Sequence, residues 1–222
     1  MRLTLTLACP QALPFDHLPT LVAAFHHWTG NHTGLHDSLS LYSLSWLEGG
    51  KRDGHQLVFE KGARWTISAA DPALGQALLA GLVETPDLPD FGLYVRDAQL
   101  IREPRFEDGE RRFELLSPVL AKAPSEKGTT PDHLRFDHLA SADVLTQTLH
   151  KKLRAAGLNT AGAAVAFDVT TRGARDRIMQ YKGIKSRVND CPVIVTGTAE
   201  QQRFAWLVGI GHSTGLGCGA LR

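Results

Sequence analysis

Cysteine is scarce in this 222-residue chain. Cys9, Cys191 and Cys218 are too few, too far apart and odd in number for a disulfide framework or a zinc cluster. That usage fits a reducing cytoplasm. No run of about 18 apolar residues occurs, so no membrane helix is expected. The opening MRLTLTLACP alternates apolar and polar residues and lacks the apolar stretch of a secretion signal. Aromatic residues make up only 7%, and the net charge is only +1. Apolar residues reach 43% and charged ones 21%, the balance of a globular protein and not of a disordered one. A chain of this length holds one large domain or two small ones, with core enough to need no staple.

The small net charge hides a polarity along the chain. Residues 1–110 carry 8 Lys and Arg against 14 Asp and Glu, whereas residues 111–222 carry 16 against 9. Such an imbalance either serves an anionic partner or is cancelled by pairing between the halves.

Periodicity divides the chain twice over. Strands are expected at 2–8, 41–47, 55–60 and 93–101, with the turn-rich EGGKRDG between the middle two. Helices are expected from Asp16, as cap, to about Trp28, and from Asp71-Pro72 to before Pro86. The order β-α-β-β-α-β is ferredoxin-like. The charged stretch 102–112 looks like a linker or a solvated hairpin. Strands then follow at 113–120, 163–170, 191–198 and 216–221, with helices at 141–156 and 199–208. The expected fold is α+β, two tandem ferredoxin-like units, divided as 1–105 and 112–222.

The strongest local signal closes the chain: Gly209-Ile-Gly211-His-Ser-Thr-Gly215-Leu-Gly217-Cys-Gly219. Glycines at this density let a backbone come close to a bulky neighbour and present its N–H groups. A dinucleotide or P-loop reading would need a helix after the glycines, and only Ala220, Leu221 and Arg222 follow. A plain turn before an edge strand would use them as well.

A Gly-x-Gly-x-x-x-Gly-x-Gly loop that closes a tandem ferredoxin-like chain resembles the repeat-associated RNA-binding superfamily of CRISPR systems. More narrowly, it resembles the endoribonuclease that cuts CRISPR precursor transcripts within each repeat. Leu35-His36-Asp37, followed by Tyr42-Ser43-Leu44-Ser45-Trp46-Leu47 and Gly49-Gly50, is similar to that family's segment after the first helix. Ser117-Pro118 opens the second half in the same way. The resemblance implies a catalytic histidine, for which His36 is the first candidate. It also implies 2′,3′-cyclic phosphate and 5′-hydroxyl products, and a protein that stays on its product or joins an interference complex.

The residues support that chemistry in their own right. Histidine exchanges protons near neutral pH, and RNA carries its own nucleophile in the 2′-hydroxyl, so no metal or other cofactor is called for. His26 and His27, in the last turn of the first helix, are rivals to His36, with His26 at the edge of the apolar stripe. His32 is a looser candidate, and its spacing to His36 would suggest a metal only on a helix, which Gly34 opposes. Tyr42 is the nearest phenol, and Lys51 and Arg52 are the nearest cations.

The RNA footprint is expected at the terminal glycines Gly209, Gly211, Gly215 and Gly217, which pass either RNA or the first unit's helix. It is also expected at Lys151, Arg172, Arg175, Arg177, Lys182, Lys185 and Arg187, with Tyr181 as a stacking surface. A solvated basic face is the plainer reading of that run. The aromatic signature of the common single-stranded RNA-binding domain is not visible. The expected partner is CRISPR repeat RNA, with further subunits of an interference complex open. A non-cutting RNA-binding subunit of the same superfamily would keep the glycines and the basic run but need no histidine. An unrelated ferredoxin-like ligand-binding protein would account for neither.

Overall fold

The computed structural model describes residues 1–30, 39–125, 128 and 130–222. The first half contains β1 (Arg2–Ala8), β2 (Leu13–Pro14), α1 (Leu18–Trp28), β3 (Tyr42–Leu44), β4 (Lys51–Asp53), β5 (Gln56–Val58), β6 (Ala63–Ala69), α2 (Pro72–Glu84) and β7 (Tyr94–Leu100). Its main sheet is antiparallel with the order β3-β6-β1-β7, and Leu5 lies opposite both Trp65 and Ala98. Leu3, Leu5 and Leu7 meet Leu21, Phe25, Leu74 and Leu78 of the two helices in one apolar cluster. The Asp71 carboxylate accepts from the Ala73 N–H at 2.8 Å and starts α2. The helices approach closely because α2 has Gly81 where a Cβ would sit 2.1 Å from the Trp28 carbonyl oxygen.

The second half contains β8 (Gly109–Phe113), β9 (Lys122–Ala123), β10 (Asp132–His133), α3 (Ser141–Ala155), β11 (Ala164–Phe167), β12 (Arg175–Tyr181), β13 (Ile184–Asp190), β14 (Val193–Gly197) and α4 (Ala199–Val208). Its sheet runs β11-β14-β8, and the chain end lies along the residues that follow β8, with Leu115 bridged to Leu221. This is the ferredoxin-like order a second time, built on Leu145, Leu149, Val165, Val195 and Leu207. The fold is α+β, of the tandem ferredoxin-like kind. Strands β12 and β13 form a separate hairpin whose inner face, with Met179 and Val188, enters the first cluster.

Several sequence expectations need correction. The third strand of the first sheet is β6, not 55–60. Residues 51–58 form a side hairpin that pairs with β2. Ala63–Ala69 escapes an alternation test because both faces are covered. Trp65 and Ile67 face the apolar cluster, and Ser68 meets Arg2, so nearly every position is buried. Likewise, the charged stretch 102–112 holds most of β8, because Arg111 and Arg112 lie on a sheet edge while Phe113 turns inward. Residues 114–120 contribute single bridges and not a strand. At the chain end, a 3₁₀ turn at Thr214–Leu216 replaces the front of the expected strand. The residue before α1 is His17, whose side chain makes no capping bond to the helix, and not Asp16.

Side chains of the first half fasten to the second. Arg2 is buried, with Nε donating to Ser68 Oγ at 2.7 Å and Nη2 donating to the Trp206 carbonyl. Its guanidinium carbon lies 3.6 Å from the centroid of the Trp206 ring. Lysine can supply the charge at that place but neither the plane nor the fork. Arg2→Lys is therefore expected to lower stability by about 1–3 kcal/mol, read as a fall in the urea midpoint with an unchanged slope.

Candidate nucleic-acid interface

An α-helix ends with carbonyls that have no helical partner. In α4 each finds a named donor. Ala205 O accepts from the Gly209 N–H at 2.9 Å and Trp206 O accepts from Arg2. Leu207 O accepts from Ser43 Oγ at 3.0 Å. Val208 O accepts from Lys152 Nζ at 2.9 Å.

Lys152 belongs to the basic run of the sequence, yet it is only 2% exposed and faces inward from α3. Its three protons go to Val208 O, to Gly209 O at 3.2 Å and to Thr214 Oγ1 at 3.0 Å. Thr214 in turn donates to Tyr42 O at 2.8 Å. Burial lowers the ammonium pKa to about 7.

The terminal glycines run through this junction, and their missing side chains are filled by protein. A Cβ on Gly215 would lie 2.6 Å from Tyr42 Oη and 2.8 Å from Ser40 Oγ. On Gly217 it would meet Leu18 at 3.1 Å, at a φ of +86° that disfavours any side chain. Gly209 and Gly211 are equally enclosed, by Gly219 O at 2.7 Å and by Leu120 O at 2.6 Å. Trp46 Nε1 donates to Gly217 O at 2.7 Å. His212 and Ser213, at the tip, are half-exposed.

His36 and His32 lie outside the described residues. The chain leaves the described part after Gly30 and returns at Leu39, one residue before the Ser40 that touches Gly215. His26 is half-buried with its ring edge-on to Phe25, 5.7 Å between centroids, and His27 is exposed. Tyr42 is 4% exposed and stacked on Phe25 at 4.6 Å, and burial raises its phenol pKa. Lys51 pairs with Glu60 at 3.2 Å.

The basic run divides. Arg175 and Arg177 both reach Asp190, and Arg187 lies 3.6 Å from Asp176. Exposed pairs of this kind are weak and yield readily to a phosphate. Lys151, Arg172, Lys182 and Lys185 are exposed with no carboxylate partner among the described residues.

Two basic surfaces have no local signature in the sequence. In one, Lys122, Lys151 and His212 line a single cleft beside the terminal loop. His133 pairs with Lys122 across the β9–β10 ladder and accepts the Arg187 N–H at Nδ1, 3.1 Å away. His212 likewise accepts the Lys122 N–H at 3.2 Å. With Nδ1 accepting, each neutral ring carries its proton on Nε2 and can donate it to an anion. Burial, then neighbouring cations, holds both rings below the usual histidine pKa: Lys122 and Arg187 act on His133, and Lys122, Lys152 and Lys151 act on His212. The second surface is a groove where Arg2, Arg64, Arg102, Arg111 and Arg222 meet a single acid, Glu48. These arginines are scattered over the whole sequence, half of which is acidic, so no stretch of it marks them. Among the described residues, no three His, Cys, Asp or Glu side chains gather into a group that could hold a metal ion. No described helix is long and apolar enough to cross a membrane.

The family model described as CRISPR associated protein Cas6, C-terminal, matches residues 101–222, more than half of the chain. The chain belongs to the Cas6 family. Among solved structures it is similar to one titled CRISPR associated protein Cas6, with 21% identity and a TM-score of 0.82, covering 100% of this chain and 98% of that one. An RAMP protein binding different RNA substrates matches at 16% identity and a TM-score of 0.85, with 100% and 98% covered. A Cas6 product complex matches at 16% and 0.69, with 99% and 98% covered. No curated protein sequence matches the chain. These likenesses establish the fold that this Cas6-family chain shares with them.

The buried lysine gives a pH signature. Lys152 titrates near 7 when folded and near its ordinary 10.5 when unfolded. Between those values the unfolded chain holds the extra proton, so this group makes stability rise with pH across that window and leaves it flat below. Urea titrations of wild type and Lys152→Met from pH 6 to 10 should differ by an amount that grows above pH 7. A constant difference would place the ammonium in water.

Proposed function

We propose that this chain is an endoribonuclease that cuts CRISPR precursor transcripts within their repeats, without a metal ion. The observation that carries the reading is the match of residues 101–222 to the Cas6 family. The similar fold of a Cas6 product complex supports it. So does the proximity of Ser40 to Gly215, because His36 precedes Ser40 by four steps along the chain, a reach of at most about 14 Å.

In this reading the RNA 2′-hydroxyl attacks the adjacent phosphorus as a base removes its proton. The bond to the 5′-oxygen breaks, and that oxygen takes a proton as it leaves. The products are a 2′,3′-cyclic phosphate and a 5′-hydroxyl. His36 exchanges one of these protons, with His26 as the rival in α1. Tyr42 would act only from inside the packed core. Lys122, Lys151 and the Nε2–H of His212 bind phosphates next to the glycine loop, and charge gathering on the phosphorane favours such donors. Lys182, Lys185 and Arg187 on the hairpin extend the track. The terminal glycines act by shaping the loop.

A second reading, a non-cutting RNA-binding subunit, is favoured by the likeness to the RAMP protein binding different RNA substrates. Cleavage decides between the two. Single-turnover cutting of repeat RNA in EDTA should proceed. A 2′-deoxyribose at the cut site should abolish it. His36→Ala should slow it about 10²–10⁴-fold with little change in affinity. Absence of any cut with any repeat would leave the binding subunit, and an inactive His26→Ala beside an active His36→Ala would move the role to α1.

Binding has its own check. Lys122→Glu and Lys151→Glu each remove one cation that faces a phosphate. Each should therefore lower the slope of log K against log salt by about 0.7 on single-stranded RNA. An unchanged slope after both reversals would remove that cleft from the RNA path.

A further inference from the structure

A cleft between the first half and the hairpin takes no part in the mechanism above. It is lined by Phe15, His17, Trp46, Leu57, Arg177 and Ile178, among others. Phe15 is 48% exposed and Ile178 is 59% exposed, so two large apolar side chains face water at one place. Each aromatic wall has a guanidinium beside it. Arg52 lies 5.6 Å from the Phe15 ring centroid, and Arg177 lies 5.6 Å from that of Trp46.

His17 adds a polar demand. It is 6% exposed, and its Nδ1 lies 2.8 Å from the Pro14 carbonyl oxygen. A carbonyl only accepts, so Nδ1 carries the proton and Nε2 is left as a lone-pair acceptor. Nε2 is buried and has no hydrogen-bond partner. Burial also lowers the pKa of this ring, which favours the neutral form. Buried acceptors are seldom left unmatched, and the ring that carries this one is part of the cleft lining.

We propose that the cleft takes one unpaired nucleobase of the RNA, its face on Phe15 and an N–H of its edge turned to His17 Nε2. The proposal rests on the RNA-cutting reading and deepens it. A base has a flat face for an exposed aromatic ring and N–H groups on its edge, which an aliphatic side chain of a protein partner lacks. The surroundings suit an anionic strand, since Arg52 and Arg177, the latter paired with Asp190, flank the cleft and Asp16 is the one carboxylate among its described lining residues. The cleft also adjoins one proposed RNA surface, the basic hairpin to which Arg177 and Ile178 belong, and Trp46 ties its wall to Gly217 of the terminal loop. A strand held by the hairpin therefore passes the cleft mouth.

The test uses repeat RNAs of differing sequence, taking the one the full chain binds most tightly, and a set of its single-abasic versions. Fluorescence anisotropy gives Kd for wild type, Phe15→Ala and Phe15→Trp. One abasic position should weaken wild-type binding about tenfold, the ordinary weight of a stacked base. Phe15→Ala should weaken binding of intact RNA by a similar factor, lose nothing more on that abasic RNA, and melt as wild type does. Phe15→Trp should restore binding. Wild-type affinity in Phe15→Ala, or losses that simply multiply, would overturn the base pocket and return the cleft to a protein partner. Failure of wild type to bind any repeat RNA would instead overturn the RNA reading itself.

Discussion

The last turn of α4 presents carbonyls that no helical N–H can reach, and the two halves are joined by the way these are answered. Arg2 of β1 and Ser43 of β3 reach across from the first half, while Lys152 of α3 answers from within the second half and meets the first only through Thr214, which donates to Tyr42 O. Arg2 and Ser43 are held in the first half by packing, so the halves cannot shift relative to one another without stranding the carbonyls of Trp206 and Leu207. Lys152 is the most demanding member. A buried ammonium with no counter-ion is tolerated only because all three of its protons are used.

The glycine loop inherits its shape from that joint. It leaves α4 at Gly209, is pinned through Thr214 to Lys152 and to β3, and passes under Trp46 at Gly217. The space a side chain would need is already occupied by protein at every glycine of the motif. The exposed chemistry of the loop is left to its tip, where His212 shares a cleft with Lys122 and Lys151. A rigid joint and an exposed tip together hold donors in place before any ligand arrives, so less ordering has to be offset on binding.

Much of this is legible in the sequence, and the failures have physical causes. Helices α1, α2 and α3 follow from their apolar spacing, and Asp71-Pro72 marks a helix start that its capping bond explains. The terminal glycines point to the family. By contrast, β6 escapes notice because a strand covered on both faces does not alternate, and β8 does so because Arg111 and Arg112 sit on an open edge. Lys152 reads as one more surface cation, since nothing local distinguishes a lysine that turns inward. Lys122, His133 and His212 are joined only by tertiary contacts, between strands and a loop far apart in the chain.

Among the described residues the hairpin β12–β13 joins no larger sheet: its backbone is bridged at Asn189–Val119, its Arg187 N–H donates to His133, Asp176 pairs with Arg135, and its inner side chains enter the apolar cluster. Its outer positions Ile178, Gln180, Lys185 and Arg187 belong to neither apolar cluster. Substitutions there leave folding nearly untouched. The outer face can therefore change its side chains without disturbing the joint at α4, so the hairpin's surface chemistry is uncoupled from the framework that carries it.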